Sequence, residues 1–484
     1  MTHKVLVDLK FALMGHSGIP QDSRLLFNDL AQSPTIDVAG LIMGYSKDSV
    51  LRSVGRYSDR ATRLIEQDEL LLTLLGEPVG WERSSPLARG FRHFQRVRRA
   101  LRFQPFTLTE LDVEFLRGFI WRRLFSLTLD PSLRASITSQ RFFVTSLSVT
   151  IARRQATLGL PLPRLDTRGF THAIFQDSTP VAVSPGTHKL IRYHDALPLI
   201  EFDTMVPPYS RIHYTSLAAC ARDSFFVCNS DPTRADLINL FPHLEERSVT
   251  IPYGLPQFFA PMAHRAALPS VLNARRSLSA SAPSQGFRPL PKDWDKRYVL
   301  AVSTIEPRKN FLGLISAWER VRYETGSDLR LVIVGTQGWK WEDTLSAMRP
   351  HIRAGTLIHL DNVSPFELTI LYSNAEALVS VTFNEGFGFP PMEAAKCDCP
   401  AIVSDIPAHR WVMGDGALYC DPYDVRSIAD ALKQLTTGTS AAELRRKLLH
   451  RAHVQAPRFD GSVVRRQWLD LFETLSRGKA VSSA

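Results

Sequence analysis

Cysteine is scarce in this chain, five residues in 484: Cys220, Cys228, Cys397, Cys399 and Cys420. None forms a Cys-x-x-Cys pair, so the sequence offers no ground for a zinc ribbon, a dithiol redox centre or a disulfide framework. Free buried thiols in a reducing compartment are expected, and the cytoplasm is the expected location. Long apolar runs are missing as well, and no stretch approaches the roughly 20 residues that a membrane-spanning helix needs. The opening Met1–Leu9 runs straight into a strand-like pattern, so no secretory leader is expected. Acidic residues are in deficit: 58 Lys and Arg stand against 48 Asp and Glu, a formal net charge of +10. That surplus fits nucleic acid, a membrane surface or an anionic substrate, and plain solubility equally, so charge alone selects none of them.

What is present is ordinary soluble composition, 44% apolar and 22% charged, in a chain too long for one domain. Two stretches alternate strand-like and helix-like patterns. In the first, the apolar runs Val5–Leu9 and Ile36–Met43 flank an amphipathic segment around Arg24–Leu30. Lys189–Tyr193, Phe225–Cys228 and Arg247–Pro252 follow as further short strands, and Asn229-Ser-Asp-Pro-Thr reads as a helix start. Residues 277–291, rich in Ser, Ala and Pro without periodicity, read as a linker or insertion. The second stretch begins at the strand Tyr298–Ser303. Phe311, Leu314, Ile315, Trp318 and Val321 mark one helix face after it, and Leu329–Val334 is the next strand. Ser364-Pro-Phe-Glu367 is a capping box, Ala377–Val381 and Ala401–Val403 are strands, and Val463, Gln467, Leu471 and Leu475 mark the spine of a closing helix beside Trp468 and Phe472. Alternation of this kind predicts parallel sheets covered on both faces. The expected fold is α/β, two Rossmann-like doubly wound domains facing across a cleft. Its predicted divisions are 1–255, a linker 256–293, a second domain 294–456, and a helix and tail 457–484 that could cross back to the first domain.

The strongest chemical signal is Thr382-Phe-Asn-Glu385-Gly386-Phe387-Gly388-Phe389-Pro390-Pro391-Met-Glu393. It follows a strand and precedes a helix, which puts it at the carboxyl end of a parallel sheet, where ligands bind in such folds. Gly386 and Gly388 let the backbone approach a ligand, and the helix start offers unpaired N–H groups to an anion. Glu385 and Glu393 flank that anion site and suit sugar or ribose hydroxyls; surface glutamates on a glycine-rich turn are the bland alternative. The second signal is Ser303-Thr-Ile-Glu306-Pro307-Arg308-Lys309-Asn310, also at a strand-to-helix junction. Adjacent Arg and Lys there can clamp a diphosphate, one by fork geometry and one as a point charge.

Glu-Pro-Arg-Lys-Asn followed by Glu-Gly-Phe-Gly-Phe-Pro-Pro-Met-Glu resembles the retaining family-4 glycosyltransferases of the GT-B fold, and the two glutamates match their E-x7-E motif. The resemblance is close from Tyr298 to Asp424. It is looser in the first half, through Ser17-Gly18-Ile19, Arg192-Tyr-His194-Asp195 and Cys228-Asn-Ser230, and residues 48–171 carry little of it. The contexts are similar to bacterial mannosyl- and rhamnosyltransferases of surface polysaccharide assembly.

The resemblance implies a nucleotide diphosphate sugar donor, with GDP-mannose as the first expectation, and a saccharide acceptor. By position it implies that Arg308 and Lys309 neutralise the leaving diphosphate. Glu385 would bind the donor sugar, with Gly386, Phe387 and Gly388 close by, Glu393 would hold the ribose, and Val363 would belong to the donor pocket. His194 would face the transferred sugar or the acceptor, unless it is a satisfied core histidine. Gly18 would approach the phosphates, unless it lies in an ordinary loop. Two positions depart from the family pattern: Trp411 where a glutamate is common, and Asp398 where a glycine is common. The implied mechanism is front-side attack, with a double displacement through a carboxylate as the rival.

No metal and no cofactor are expected. Asp293-Trp-Asp295 spells the Asp-x-Asp string of metal-dependent transferases, but in a linker without a ligand cluster, and is read as chance. Arginines 89, 92, 96, 98, 99 and 102 alternate with Phe91, Phe94, Val97 and Leu101, and Phe119–Phe125 repeats the mixture. Such a strip suits a membrane interface, a lipid-linked acceptor and a peripheral location on the inner face of the cell membrane; a buried helix with a solvated basic rim is the alternative. A nucleic-acid partner is not expected, because no base-reading element accompanies the arginines. A catalytically inactive sugar-binding or scaffold protein of the same fold is the alternative function.

Overall fold

The computed structural model describes residues 2–15, 18–43, 104–201, 209–262, 264–276, 289–437 and 440–478. The chain divides into two compact units. One holds residues 1–229, 234–254 and 464–484; the other holds 230–233 and 255–463.

In the first unit the described strands are β1 (His3–Asp8), β2 (Ile36–Met43), β3 (Thr109–Glu110), β4 (Arg141–Thr145), β5 (His172–Phe175), β6 (His188–Tyr193), β7 (Phe225–Cys228) and β8 (Ser248–Thr250). They form one sheet in the order β3-β4-β2-β1-β5-β6-β7-β8, parallel throughout except for β3 on β4. Order reverses between β1 and β5, so this sheet has a switch point there. Arg24, inside the helix Ile19–Ala31, is fully buried. Its guanidinium donates to the carbonyls of Ala12, Met14, Gly15 and Leu124 and to the Thr128 hydroxyl, which is how so hydrophilic a group is tolerated in a core.

The second unit holds β9 (Tyr298–Val302), β10 (Arg330–Val334), β11 (Leu357–Leu360), β12 (Ala377–Ser380), β13 (Ala401–Ser404) and β14 (Leu418–Cys420). All pair in parallel in the order β11-β10-β9-β12-β13-β14, the arrangement of a dinucleotide-binding Rossmann sheet. Side chains alternate between two cores, as a period of two requires. Val299, Ala301, Leu331 and Ile333 pack with the helices Phe311–Thr325 and Val425–Thr436. Tyr298, Leu300, Val332 and Val334 pack with the helices Leu268–Ala274 and Pro365–Asn374 on the other side. The five residues assigned to one face of the helix after β9 are all buried there. The Ser364–Glu367 capping box forms as read, with the Ser364 hydroxyl accepting from the Glu367 N–H and the Glu367 carboxylate accepting from the Ser364 N–H at 2.8 Å.

Two sequence expectations need correction. The closing helix Gly461–Ser476 does not bury Val463 and Gln467; its inner stripe is Val464, Trp468, Leu471 and Phe472. A strict spacing of four drifts round a helix of 3.6 residues per turn, whereas i, i+4, i+7, i+8 stays on one face. In Phe119–Phe125, Trp121, Leu124 and Phe125 are buried while Arg122 and Arg123 are exposed, so here the apolar face belongs to the core and the basic rim is solvated. The strip 89–102 lies outside the described residues, as does Ser17. All five cysteines are free and buried. No helix among the described residues is long and apolar enough to cross a membrane.

Candidate functional site

Order in the second sheet reverses between β9 and β12, and the two motifs follow those two neighbouring strands. The crevice beyond the carboxyl ends of strands at such a reversal is where open α/β sheets take ligands. After β9 the chain stays extended at Glu306, turns through the short helix Pro307–Lys309 and enters the left-handed region at Asn310, φ 53°. Asn310 then caps the helix Phe311–Thr325, its Oδ1 accepting from the Gly313 N–H at 3.2 Å. Its Nδ2 donates to the carbonyls of Val381 (3.1 Å) and Pro422 (2.7 Å), which ties this turn to the loop after β12. The backbone carbonyl of Arg308 accepts from the Phe383 N–H and the Thr382 hydroxyl, both at 2.9 Å. The two loops are therefore fastened to each other.

This fastening gathers four charged side chains. Arg308 Nη1 donates to Glu385 Oε2 at 3.0 Å and to the Asn384 carbonyl at 2.8 Å, and Nη2 donates to Glu306 Oε1 at 2.6 Å. Lys309 Nζ donates to Glu385 Oε1. Only 12% of either cationic side chain is exposed, and 16% of Glu385. Burial alone would raise the Glu385 pKa, but Lys309 and Arg308 together outweigh it and hold the carboxyl down at about 2. Burial lowers the pKa of Lys309, opposed by Glu385, and raises that of Glu306, opposed by Arg308 and Lys309.

Gly388 precedes the helix Phe389–Lys396 with φ 90°, a conformation in which a side chain would be strained. Pro390 and Pro391 occupy the first helical turn, where no N–H is needed. Gly386 and Gly388 are partly open, whereas the Phe387 ring is buried against Phe389, Trp411 and Phe459, so this residue can present only its backbone. Glu393 is buried on the same helix and accepts a hydrogen bond from the Tyr372 hydroxyl at 3.0 Å. Val363 sits in the apolar cluster beside Leu360 and Tyr372. Asp398 takes φ 56°, the left-handed backbone that makes glycine common there.

Arg308, Lys309, Glu385, Gly386 and Gly388 are thus brought together. Gly18 and His194 belong to the other unit. Gly18, φ 66°, caps the start of the helix Ile19–Ala31. His194 is buried, with Nε2 2.7 Å from the Gln176 carbonyl and Nδ1 2.5 Å from the Tyr253 hydroxyl, while Asn229 donates to the His194 carbonyl at 2.7 Å. Burial lowers its pKa, with Asp22 opposing. Both ring nitrogens are satisfied inside that unit, as in the core-histidine alternative. Sequence reasoning gave no role to two residues of the site that stand in motifs it picked out: Glu306, which shares Arg308 with Glu385, and His409, buried against Gly388. The signal for Glu306 was its place two residues before Arg308; for His409 it was its place just after the end of β13.

Known proteins resemble the chain as follows. Residues 285–453 match the family described as glycosyl transferases group 1. Over 215 residues the chain is 29% identical to the O-antigen chain mannosyltransferase B of Escherichia coli, covering 44% of this chain and 52% of that protein. Over 147 residues it is 35% identical to the O-antigen chain mannosyltransferase RfbU of Salmonella typhimurium, covering 30% of this chain and 40% of the relative. The chain thus spans about half or less of the length of these curated relatives. The solved structure of sucrose-phosphate synthase from Thermosynechococcus elongatus matches with TM-score 0.58 at 13% identity, covering 99% of this chain and 100% of that one. Anabaena HepE in complex with UDP matches with TM-score 0.53 at 11% identity, over 98% and 100% of the two chains. At such identities the likeness is one of fold, in keeping with two Rossmann-like units.

Proposed function

We propose that this chain, whose residues 285–453 match the glycosyl transferases group 1 family, transfers a hexose from a nucleoside diphosphate sugar to a saccharide acceptor with retention of configuration. The observation that carries the proposal is the pair of buried cations, Arg308 and Lys309, held by Glu385 at the switch point beside the Gly386–Gly388 backbone. Before a donor arrives, Glu385 keeps both cations in place and neutralises part of their charge. A diphosphate supplies a second set of oxygens for the same N–H groups. As the bond to the sugar breaks, negative charge grows on the leaving phosphate, and donors already fixed in a partly dry site stabilise it without reorganising.

The acceptor hydroxyl attacks from the side the diphosphate leaves, and its proton passes to the departing phosphate oxygen. Glu385 is a poor nucleophile for the rival double displacement, because both of its oxygens are engaged by cations and its pKa is held at about 2. Its role is to fix the cations and accept from sugar hydroxyls, with Glu393 on the ribose and Val363 in the pocket wall. Arg308 and Lys309 hold the diphosphate in place of a metal ion. GDP-mannose is the proposed donor and a saccharide of surface-polysaccharide assembly, free or lipid-linked, the proposed acceptor, since two relatives are named as O-antigen chain mannosyltransferases. For Gly18 and His194, a part in binding donor or acceptor is proposed on the sequence resemblance alone.

The test is a thermal-shift panel of GDP, UDP, dTDP and ADP with their sugars, in EDTA. One nucleotide should stabilise the protein, and the double variant Arg308→Ala, Lys309→Ala should lose that shift. Removing either cation alone should lower the transfer rate by about 10²–10³, the usual cost of one transition-state charge contact. No shift with any nucleotide would favour an inactive scaffold.

A further inference from the structure

His409 has the one ring nitrogen in this neighbourhood that the described fold leaves unsatisfied. The residue sits in the helix Pro407–Met413 just beyond β13 and is fully buried. Nδ1 lies 3.1 Å from the Ser404 carbonyl, which can only accept, so Nδ1 carries the proton in the neutral ring. Nε2 is then a bare lone pair, and it is buried with no hydrogen-bond partner. Its neighbour is the ligand loop: a Cβ built on Gly388 would stand 3.4 Å from Nε2 and 3.3 Å from Cδ2. The ring is close enough to the charged cluster to interact with both Glu385 and Lys309. Burial depresses its pKa to about 4, with Glu385 opposing, which keeps the ring neutral at physiological pH. The Ser404 hydroxyl donates to the Thr382 carbonyl at 2.6 Å, so the segment that aims the imidazole is itself fastened to the loop carrying Glu385.

We infer that His409 Nε2 accepts a hydrogen bond from a hydroxyl of the donor hexose, and so helps to set which sugar is taken. This rests on the donor site proposed above. A buried acceptor without a partner is costly, and the ligand that relieves it has to bring a proton. A diphosphate at neutral pH has none to give, and the N–H groups of Arg308 and Lys309 beside it donate to Glu306, Glu385 and the Asn384 carbonyl rather than to Nε2. A sugar hydroxyl can donate to Nε2 and still accept from a backbone N–H of the Gly386–Gly388 loop.

The experiment is calorimetric titration of GDP and GDP-mannose, or of whichever pair the panel identifies, into the wild type, His409→Phe and His409→Gln. His409→Phe keeps the volume and removes the acceptor; it should weaken the nucleotide sugar about tenfold, the worth of one hydrogen bond, and the bare nucleotide by less than twofold. His409→Gln, which offers an amide oxygen, should recover part of the loss. Donors lacking one sugar hydroxyl at a time, titrated into the wild type and His409→Phe, should include one whose loss of about tenfold in the wild type is absent in the variant. Equal losses for nucleotide and nucleotide sugar would overturn the inference in favour of a nucleotide contact. Unchanged sugar affinity in His409→Phe would overturn it in favour of a buried water. A wild type that binds no nucleotide would sink the donor site itself, and this assignment with it.

Discussion

Glu385 carries the sharpest consequence at the scale of single residues. Its folded pKa of about 2 lies below the ordinary 4.5, so the paired carboxylate favours the folded state fully above about pH 4.5, and that contribution is lost as pH falls toward 2. The shift corresponds to about 3 kcal/mol. Urea unfolding of the wild type and Glu385→Gln should therefore differ by that order at pH 7, and the gap should close between pH 4.5 and 2. A gap that stays constant with pH would mean the carboxylate is not held by Arg308 and Lys309. Glutamine keeps the shape but leaves Lys309 without its carboxylate partner and Arg308 with Glu306 alone, so transfer activity should fall as well.

At the scale of elements, the turn at Asn310 joins the loops that follow β9 and β12. Its left-handed backbone and three hydrogen bonds have separable costs. Asn310→Ala keeps a Cβ at positive φ and should cost about 1 kcal/mol more than Asn310→Gly, because only glycine takes that conformation freely. Both should lower thermal stability, since the Val381 and Pro422 carbonyls lose a buried donor. Equal melting temperatures for the two variants would show that the turn relaxes. The helix start at Ser364 is simpler: Ser364→Ala removes one cap and should cost about 1 kcal/mol in thermal unfolding.

At the scale of the whole molecule, the chain's last helix belongs to the unit that contains its first strand. Trp468 is fully buried there, 5.7 Å from the Arg192 guanidinium, and the Phe472 ring lies 4.5 Å from that of His172. Trp468→Ala should cost about 3–5 kcal/mol, the usual price of emptying so large a buried site. Hydrogen exchange should show the loss in β1 and β5 of the first unit and leave β9 and β12 protected. Faster exchange in both units alike would mean that they unfold as one.

The sequence by itself determined much of the second unit: β9, β10, β12 and β13 are legible in it, whereas β11 and β14 are not. Strand and helix there are set by local periodicity, the capping box by four adjacent residues, and the ligand loops by Gly and Pro at a strand-to-helix junction, all of them short-range properties. It also pointed to Arg308, Lys309 and Glu385, because charged residues at such junctions have few structural reasons to be there. Only the tertiary structure decided how those residues meet. That Glu385 binds both cations, that Glu306 shares Arg308, and that His409 faces Gly388 depend on β9, β12 and β13 being neighbours, which no local pattern states. The inner face of the closing helix was decided in the same way. Apolar residues stand on both sides of its Val463–Leu475 stretch, and the choice among them is made by the surface it packs on.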